Sequence, residues 1–498
     1  MEYSNEVNEV TATNAKTKSS WIYLLRQIFV CSGVTSYFFI FGLFFGAPTV
    51  YVPQIRKEAN STEIISMETM SWLYGITNYG SLPWTAILPI IAARYGRKIP
   101  YYLLWVNTIV CVALFYFSTS ILELFISGLF QGMLPAMLFT VTVMTLTEYT
   151  SPKYRGIFIT FKGATFYWGV WISNAIGTFF HWKNIGILMF LCCVYNISVI
   201  FWPESPMWLA TKGRFEECAK SHRWLKGEEK DSEEELKQLI DSQKMNIELK
   251  QQRHQEKQNF IVKLYKILRL KQFYKPLTIS ILTMCLYHFS GKLACTGYIV
   301  HILKTISESE SSAYMGMLFL DGITVGGMYV GVILTKFLKR RTILISSSLI
   351  GIIFLIVLSV YLYLVHLNVI SQNTYVTILL LTGFSVTISC GPLIMSMCFS
   401  SELTPLKGRS LFLCVFAVSC NIIMGSNMKM FPYIFEYLNS HGAFILYAII
   451  SSGFLYILYK VLPETKDRTI HEIEKYFVDE NNVKNKEDAL MNTEKPSV

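Results

Sequence analysis

Residues 148–155 read EYTSPKYR and residues 402–409 read ELTPLKGR. Each stretch sets an acid (Glu148, Glu402) seven residues ahead of an arginine (Arg155, Arg409), with a proline between them (Pro152, Pro405). Further out, Pro203-Glu204-Ser205-Pro206 is echoed by Pro463-Glu464-Thr465-Lys466. The basic run Arg94-Tyr95-Gly96-Arg97-Lys98 is echoed by Lys339-Arg340-Arg341. One such pair could be chance. Three pairs in the same order, offset by roughly 245–260 residues, indicate one structural unit used twice.

Long apolar stretches run between these landmarks. A crossing helix needs about 20 mostly apolar residues. Six such runs occupy 27–50, 71–92, 99–118, 121–147, 157–180 and 185–202. Six more occupy 276–301, 312–336, 342–365, 374–400, 410–430 and 442–462. The composition agrees, with 52% hydrophobic and 16% charged residues, against about 25% charged in a soluble domain. That much apolar surface cannot hide in one core, so most of it faces lipid. The expectation is an all-α integral membrane protein, twelve transmembrane helices in two six-helix halves. Its expected parts are a cytoplasmic tail over 1–26, a six-helix bundle over 27–202, a cytoplasmic helical linker over 203–275, a second bundle over 276–462 and a cytoplasmic tail over 463–498.

A net charge of +10 raises the question of nucleic acid. The cations, however, fall in short clusters between apolar runs, and no soluble segment interleaves a basic patch with exposed aromatics. Alternate loops carry the clusters, which by the positive-inside tendency puts those loops and both termini in the cytoplasm. Asn60-Ser61-Thr62 then lies outside, where Asn60 fits an N-glycosylation acceptor. In the linker, Ser232-Glu233-Glu234-Glu235 has capping-box spacing, and Leu236, Leu239 and Ile240 follow on one helical face. Of the 11 cysteines only Cys218 lies outside an apolar run, and none shows ligand spacing. They read as small packing residues rather than disulfides or metal ligands. With no nucleophile elbow, phosphate-cradling loop or metal cluster, neither enzymatic activity nor a cofactor is expected.

At its motifs the chain resembles the sugar porter family of the major facilitator superfamily. The matching pieces are Gly96-Arg97-Lys98, Glu148…Arg155-Gly156, Pro203-Glu204-Ser205-Pro206-Met207-Trp208-Leu209, Glu402…Pro405…Arg409 and Pro463-Glu464-Thr465-Lys466. Within that family, Arg223-Trp224-Leu225-Lys226-Gly227 is similar to the insect facilitated trehalose transporters. The short loop after the first helix separates it from the organic-ion carriers that share the Pro-Glu-Ser-Pro motif. The resemblance implies the major facilitator fold and facilitated passage of a sugar, trehalose or a hexose, through a monomer in the plasma membrane. It also implies gating by Arg94, Arg97, Glu148, Arg155, Glu204, Arg340, Glu402, Arg409 and Glu464, with acids and arginines pairing across the halves to shut the inner side. Proton-coupled members carry an Asp in helix one and an Arg in helix four. Phe44 and Leu129 stand at those places, which points to a uniporter.

The solute site departs from the family pattern. Its helix-seven motif, Gln-Gln-x-Ser-Gly-x-Asn, reads here Tyr287-His288-Phe289-Ser290-Gly291-Lys292-Leu293. The helix-five Gln corresponds to Gly163 and the helix-ten Trp to Met397. Asn421 matches a helix-eleven Asn, and Thr324 takes a helix-eight polar place. The family's Asp before Arg94 is Ala93. Ionisable residues stand inside crossings instead: Lys162, His288, Lys292 and Asp321. A charge there costs about 2.5–3.5 kcal/mol and faces a cavity or a partner. Two alternatives to a plain sugar carrier follow. One is a carrier for an acidic or conjugated solute on the same scaffold, and the other is a weakly transporting sugar sensor.

Overall fold

The structure, a computed structural model, describes residues 2–59, 65–252, 267–306, 310–405, 408–466 and parts of 472–477. Asn60, with its glycosylation sequon, and the Arg155 side chain lie outside the described residues. Helices account for nearly all of it, and no strand occurs among the described residues. The chain divides into two compact units, Met1–Ser61 with Ile76–Lys257, and Thr62–Gly75 with Gln258–Val498.

The first unit is built on α1 (Trp21–Glu58), α2 (Met67–Tyr95) from Ile76 on, α3 (Lys98–Phe117), α4 (Ile121–Tyr149), α5 (Pro152–Phe179) and α6 (Asn184–Phe201). The helix starts are chemically marked. Ser120 and Glu123 form a reciprocal capping box on α4, and Pro152 opens α5, where its missing N–H is not needed. α4 is interrupted at Gly132 and Thr140 into three pieces. Gly132 is required there, because a Cβ would strike the backbone of Gly80 and Ser81 on α2. α1 and α5 meet in the same way. A Cβ on Gly42 would collide with the Phe166 carbonyl, and one on Gly169 with the Phe39 carbonyl. Small residues let two crossing helices touch backbone to backbone, which is how helices associate where lipid supplies no hydrophobic drive.

The linker forms α7 (Pro206–Thr211), α8 (Phe215–Lys226) and α9 (Lys230–Gln252). Leu236 buries against Trp208, Leu209, Ala210 and Cys218, with Leu239 and Ile240 packed alongside, so the expected helical face is the one that closes this small core. Ser232 does not cap α9. It lies inside the first turn, donates to the Gly227 carbonyl (3.0 Å) and meets His222 Nε2 (3.2 Å). The Arg223–Gly227 motif docks the linker on the base of α1. Arg26 donates to the Trp224 carbonyl (3.0 Å), Gln27 donates to the Leu225 carbonyl (3.1 Å), and Gly227 turns at φ +81° beside the Tyr23 ring.

The second unit contains α10 (Lys271–His288), α11 (Lys292–Ile306), α12 (Glu310–Phe337), α13 (Arg340–His366), α14 (Thr374–Glu402) and α15 (Arg409–Val461). α10 and α11 are one crossing broken at Phe289-Ser290-Gly291. α15 is two crossings, because Asn439 breaks its helical geometry (φ 56°, ψ 176°). Tyr447 OH donates to Asn427 Oδ1 (3.3 Å), a contact that residues about 30 Å apart on one straight helix could not make. Counted this way, each half supplies six crossings. A π-turn at Ser389–Leu393 within α14 brings Gly391 against Ser347, leaving no room for a side chain there.

Candidate functional site

The repeated motifs assemble into the same device in each unit. In the first, Glu204 receives the backbone N–H of Arg97 (2.8 Å), Lys98 (3.4 Å) and Ser205 (2.8 Å). Its carboxylate thus sits on the N-terminus of α3, where unsatisfied N–H groups and the helix dipole favour an anion. Gly96, at φ +108°, leaves room for that carboxylate; a Cβ would overlap Glu204 Oε2. Arg97 grips Glu148 bidentately, Nε to Oε2 at 2.9 Å and Nη2 to Oε1 at 2.8 Å, and Ser205 Oγ donates to the same carboxylate (2.6 Å).

In the second unit Glu464 receives the N–H groups of Arg340 and Arg341 (both 3.2 Å), capping α13, and also those of Thr465 (3.1 Å) and Lys466 (2.9 Å). Arg340 pairs with Glu402. Glu204 and Glu464, Glu148 and Glu402, and Arg97 and Arg340 therefore hold equivalent places. Each of these ion pairs closes within its own half. Arg94 is exposed, with its guanidinium over the Tyr95 ring at 5.3 Å, and Arg409 opens α15.

The interior polar residues cluster around the break between α10 and α11. Gly291 takes φ +79°, and Ser290 Oγ donates to the Tyr287 carbonyl (2.6 Å) and accepts from Lys292 N (3.3 Å). A break inside a membrane frees carbonyls that must find donors. Asn427 Nδ2 donates to the His288 carbonyl (2.9 Å) and Ser451 Oγ to the Phe289 carbonyl (3.0 Å). The surviving Ser290-Gly291 of the helix-seven motif thus shapes the backbone, and residues from both crossings of α15 hold that shape.

Lys292 and Thr324 meet directly. The buried Lys292 ammonium donates to Thr324 Oγ1 and Ser385 Oγ, both at 2.8 Å, joining α11, α12 and α14. A small cavity, with room for about one water molecule, is lined there by Lys292, Thr296, Asp321, Phe384 and Ser385, among others. Lys162 is buried in the other unit, its Nζ over the Phe38 ring at 5.4 Å, with Gly163 buried beside it in sequence. Tyr287 and His288 are adjacent buried rings, 5.0 Å between centroids.

Of the residues predicted for the solute site, two keep buried polar atoms without a protein hydrogen-bond partner among the described residues: His288 Nδ1, 5% exposed, and Asn421 Oδ1, 0% exposed. Asn421 Nδ2 is engaged by the Ala417 carbonyl (2.9 Å). Met397 is half-buried on α14. Phe44 is buried edge-on against Phe115 (5.9 Å), and Leu129 is 50% exposed. Ser385, Asn427 and Ser451 escaped the sequence reading, and Ser205 entered it only as part of its motif, without a role. Each is a small neutral polar residue in or near an apolar run, and nothing in the run marks its partner.

The family model described as "Sugar (and other) transporter" matches residues 28–477. A "Facilitated trehalose transporter Tret1" of Polypedilum vanderplanki is 25% identical over 467 residues, 91% of this chain and 88% of that protein. The Bombyx mori protein of the same name is 23% identical over 487 residues, covering 95% and 90%. With the "Facilitated trehalose transporter Tret1-2 homolog" of Drosophila simulans the match is 27% over 345 residues, so the chain spans 66% of that relative's length. Among solved structures, the proton:xylose symporter XylE bound to 6-bromo-6-deoxy-D-glucose superposes with a TM-score of 0.71 at 15% identity, covering 90% of this chain and 99% of that one. The inward-open xylose transporter XylE from E. coli gives 0.69 at 13%, with the same coverage. At those identities the likeness establishes the fold, that of the major facilitator superfamily.

Proposed function

The chain belongs to the sugar transporter family, and on that premise we propose that it moves a neutral sugar, trehalose or a hexose, across the plasma membrane by facilitated uniport. The observation that carries the reading is the pair of buried, unpartnered atoms His288 Nδ1 and Asn421 Oδ1. Sugar hydroxyls both donate and accept. A buried imidazole nitrogen and a buried amide oxygen without a protein partner are suited to meet such a hydroxyl. The relatives named as trehalose transporters support a sugar as the solute.

Uniport rests on Phe44 and Leu129. A buried phenyl ring and a half-exposed aliphatic chain offer no titratable pair where proton-coupled sugar porters have one. The duplicated carboxylate–arginine clusters, with Arg94, Arg155 and Arg409 at nearby helix ends, would gate the cytoplasmic side in alternating access by exchanging pairs within each half for pairs across the halves. The cation-rich loops and both termini are taken as cytoplasmic.

Buried Lys162 and Lys292 favour the second reading, a carrier of an acidic or conjugated solute. The ammonium of Lys292 is already bound by two hydroxyls and lines its cavity beside Asp321, so its charge is largely compensated within its own half. The neutral solute is therefore preferred.

Uptake of trehalose, glucose and a glucuronide into proteoliposomes tests the choice. Saturable entry of trehalose or glucose is expected, with KM raised about tenfold in His288→Ala or Asn421→Ala, the worth of one hydrogen bond. Preferred glucuronide entry that is lost in Lys292→Met would replace the sugar reading with the acidic one. Sugar binding without saturable flux would make the protein a sensor.

A further inference from the structure

Two histidines at the end of the C-terminal unit away from Arg340 take no part in the site above. His366 lies in the last turn of α13, and Asn368 (φ 56°) ends that helix, with its N–H on the Val365 carbonyl (3.0 Å). His441 lies just past the Asn439 break in α15. Ser359 Oγ, from α13, donates to the His441 carbonyl (2.7 Å) and pins that turn to α13. The two imidazole centroids lie 5.2 Å apart with planes inclined by 31°, and the Tyr363 ring lies 5.3 Å from that of His441. His366 is exposed and His441 half-buried, so a solute ion can reach both rings.

We propose that His366 and His441 form a two-imidazole site for a borderline d-block cation of the zinc class, clipping the end of α13 to the turn in α15. The spacing fits. With metal–nitrogen bonds of about 2.0–2.1 Å and a tetrahedral angle, two ligating imidazoles hold their ring centres about 5 Å apart. Neutral imidazole prefers Zn²⁺ or Cu²⁺ to the hard, oxygen-seeking Mg²⁺. Among the described residues no third His, Cys, Asp or Glu completes a cluster here, so water fills the remaining positions. Such a site exchanges its ion readily and acts as an external clip; the fold does not depend on its being filled. The backbone anchors come from Ser359 and Asn368, so the rings are held close whether or not metal is bound, and little ordering remains for binding to do.

The test is thermal unfolding of the purified full-length protein with zinc chloride, magnesium chloride or neither. Zinc, but not magnesium, should raise the midpoint by about 2–4 °C, reversibly on adding EDTA. His366→Phe and His441→Phe keep an aromatic ring in the contact but cannot ligate, and each should abolish the zinc shift whatever its own midpoint. His181→Ala, which removes an exposed histidine beside Glu58, should leave the shift intact. A zinc shift that survives in both Phe variants, or none in the unaltered protein, would leave the pair as stacked rings only and overturn the proposal.

Discussion

At Gly96 a single hydrogen atom keeps the N-terminal charged cluster intact. Its φ of +108° strains any L residue, by about 1–3 kcal/mol, and a methyl group would also occupy the space of Glu204 Oε2. Gly96→Ala should therefore lower the melting midpoint and expose the N-terminus of α3. Gly326→Ala, where an added Cβ meets nothing within 4 Å, should be neutral or slightly stabilising. Thermal melts of the two variants side by side check this, and equal effects would remove the role assigned to Gly96. The residues of this cluster were legible in the sequence because the motif occurs twice. Their partners were legible only in part: the pairing of acid with arginine followed from charge, whereas its closure within one half did not. Ser205 on Glu148 left no trace, because a serine hydroxyl has many possible acceptors and the sequence names none.

The elements show the same division. Apolar runs marked where the crossings lie, since the length of a span is set by bilayer thickness, but not their ends: α1 runs on to Glu58, past a stretch read as ending at 50. The break between α10 and α11 was visible only as Ser290-Gly291, and its supports, Asn427 and Ser451, come from elements more than a hundred residues away. Asn427→Ala leaves the buried His288 carbonyl with only the longer Gly291 N–H bond (3.3 Å), at a cost of about 1 kcal/mol. It should impair transport through the misplaced His288 ring, with Asn427→Gln restoring part of the loss. Uptake kinetics that do not change would show that the staple is unimportant. The linker carries a titratable counterpart. His222 is buried against Ser232, and burial together with nearby Lys226 holds its pKa below the ordinary histidine value. The folded linker therefore prefers neutral His222. Its stabilisation is complete above about pH 6.5 and falls away as the pH drops from there through the lower folded value. Proteolysis of the α8–α9 segment should quicken over that window, and His222→Gln should flatten the dependence.

On the scale of the whole molecule, duplication is the organising fact. Glu204 on the start of α3 and Glu464 on the start of α13 perform the same task by the same backbone bonds. If both halves contribute equally to the transport cycle, Glu204→Gln and Glu464→Gln should slow sugar exchange to a similar extent, and a large asymmetry would show one latch dominating. The site between the motifs has not kept pace with the scaffold: the family's amides gave way to His288 and Tyr287, and its proton pair to Phe44 and Leu129. On the proposed uniport reading, that last difference governs how energy enters the cycle. Phe44 is buried against Phe115, so an Asp placed there would be an unpaired charge in a dry interior, and Phe44→Asp should destabilise the protein without creating coupling. In the unaltered protein, sugar should move only until its concentrations equalise, and an imposed proton gradient should change neither the rate nor the end point. A protonophore then has nothing to collapse. If liposomes instead accumulate sugar above the outside concentration under an inward proton gradient, a titratable group elsewhere drives the cycle. Buried Asp321, on the cavity it shares with Lys292, is the first to replace, and Asp321→Asn should then abolish accumulation while leaving equilibrative exchange.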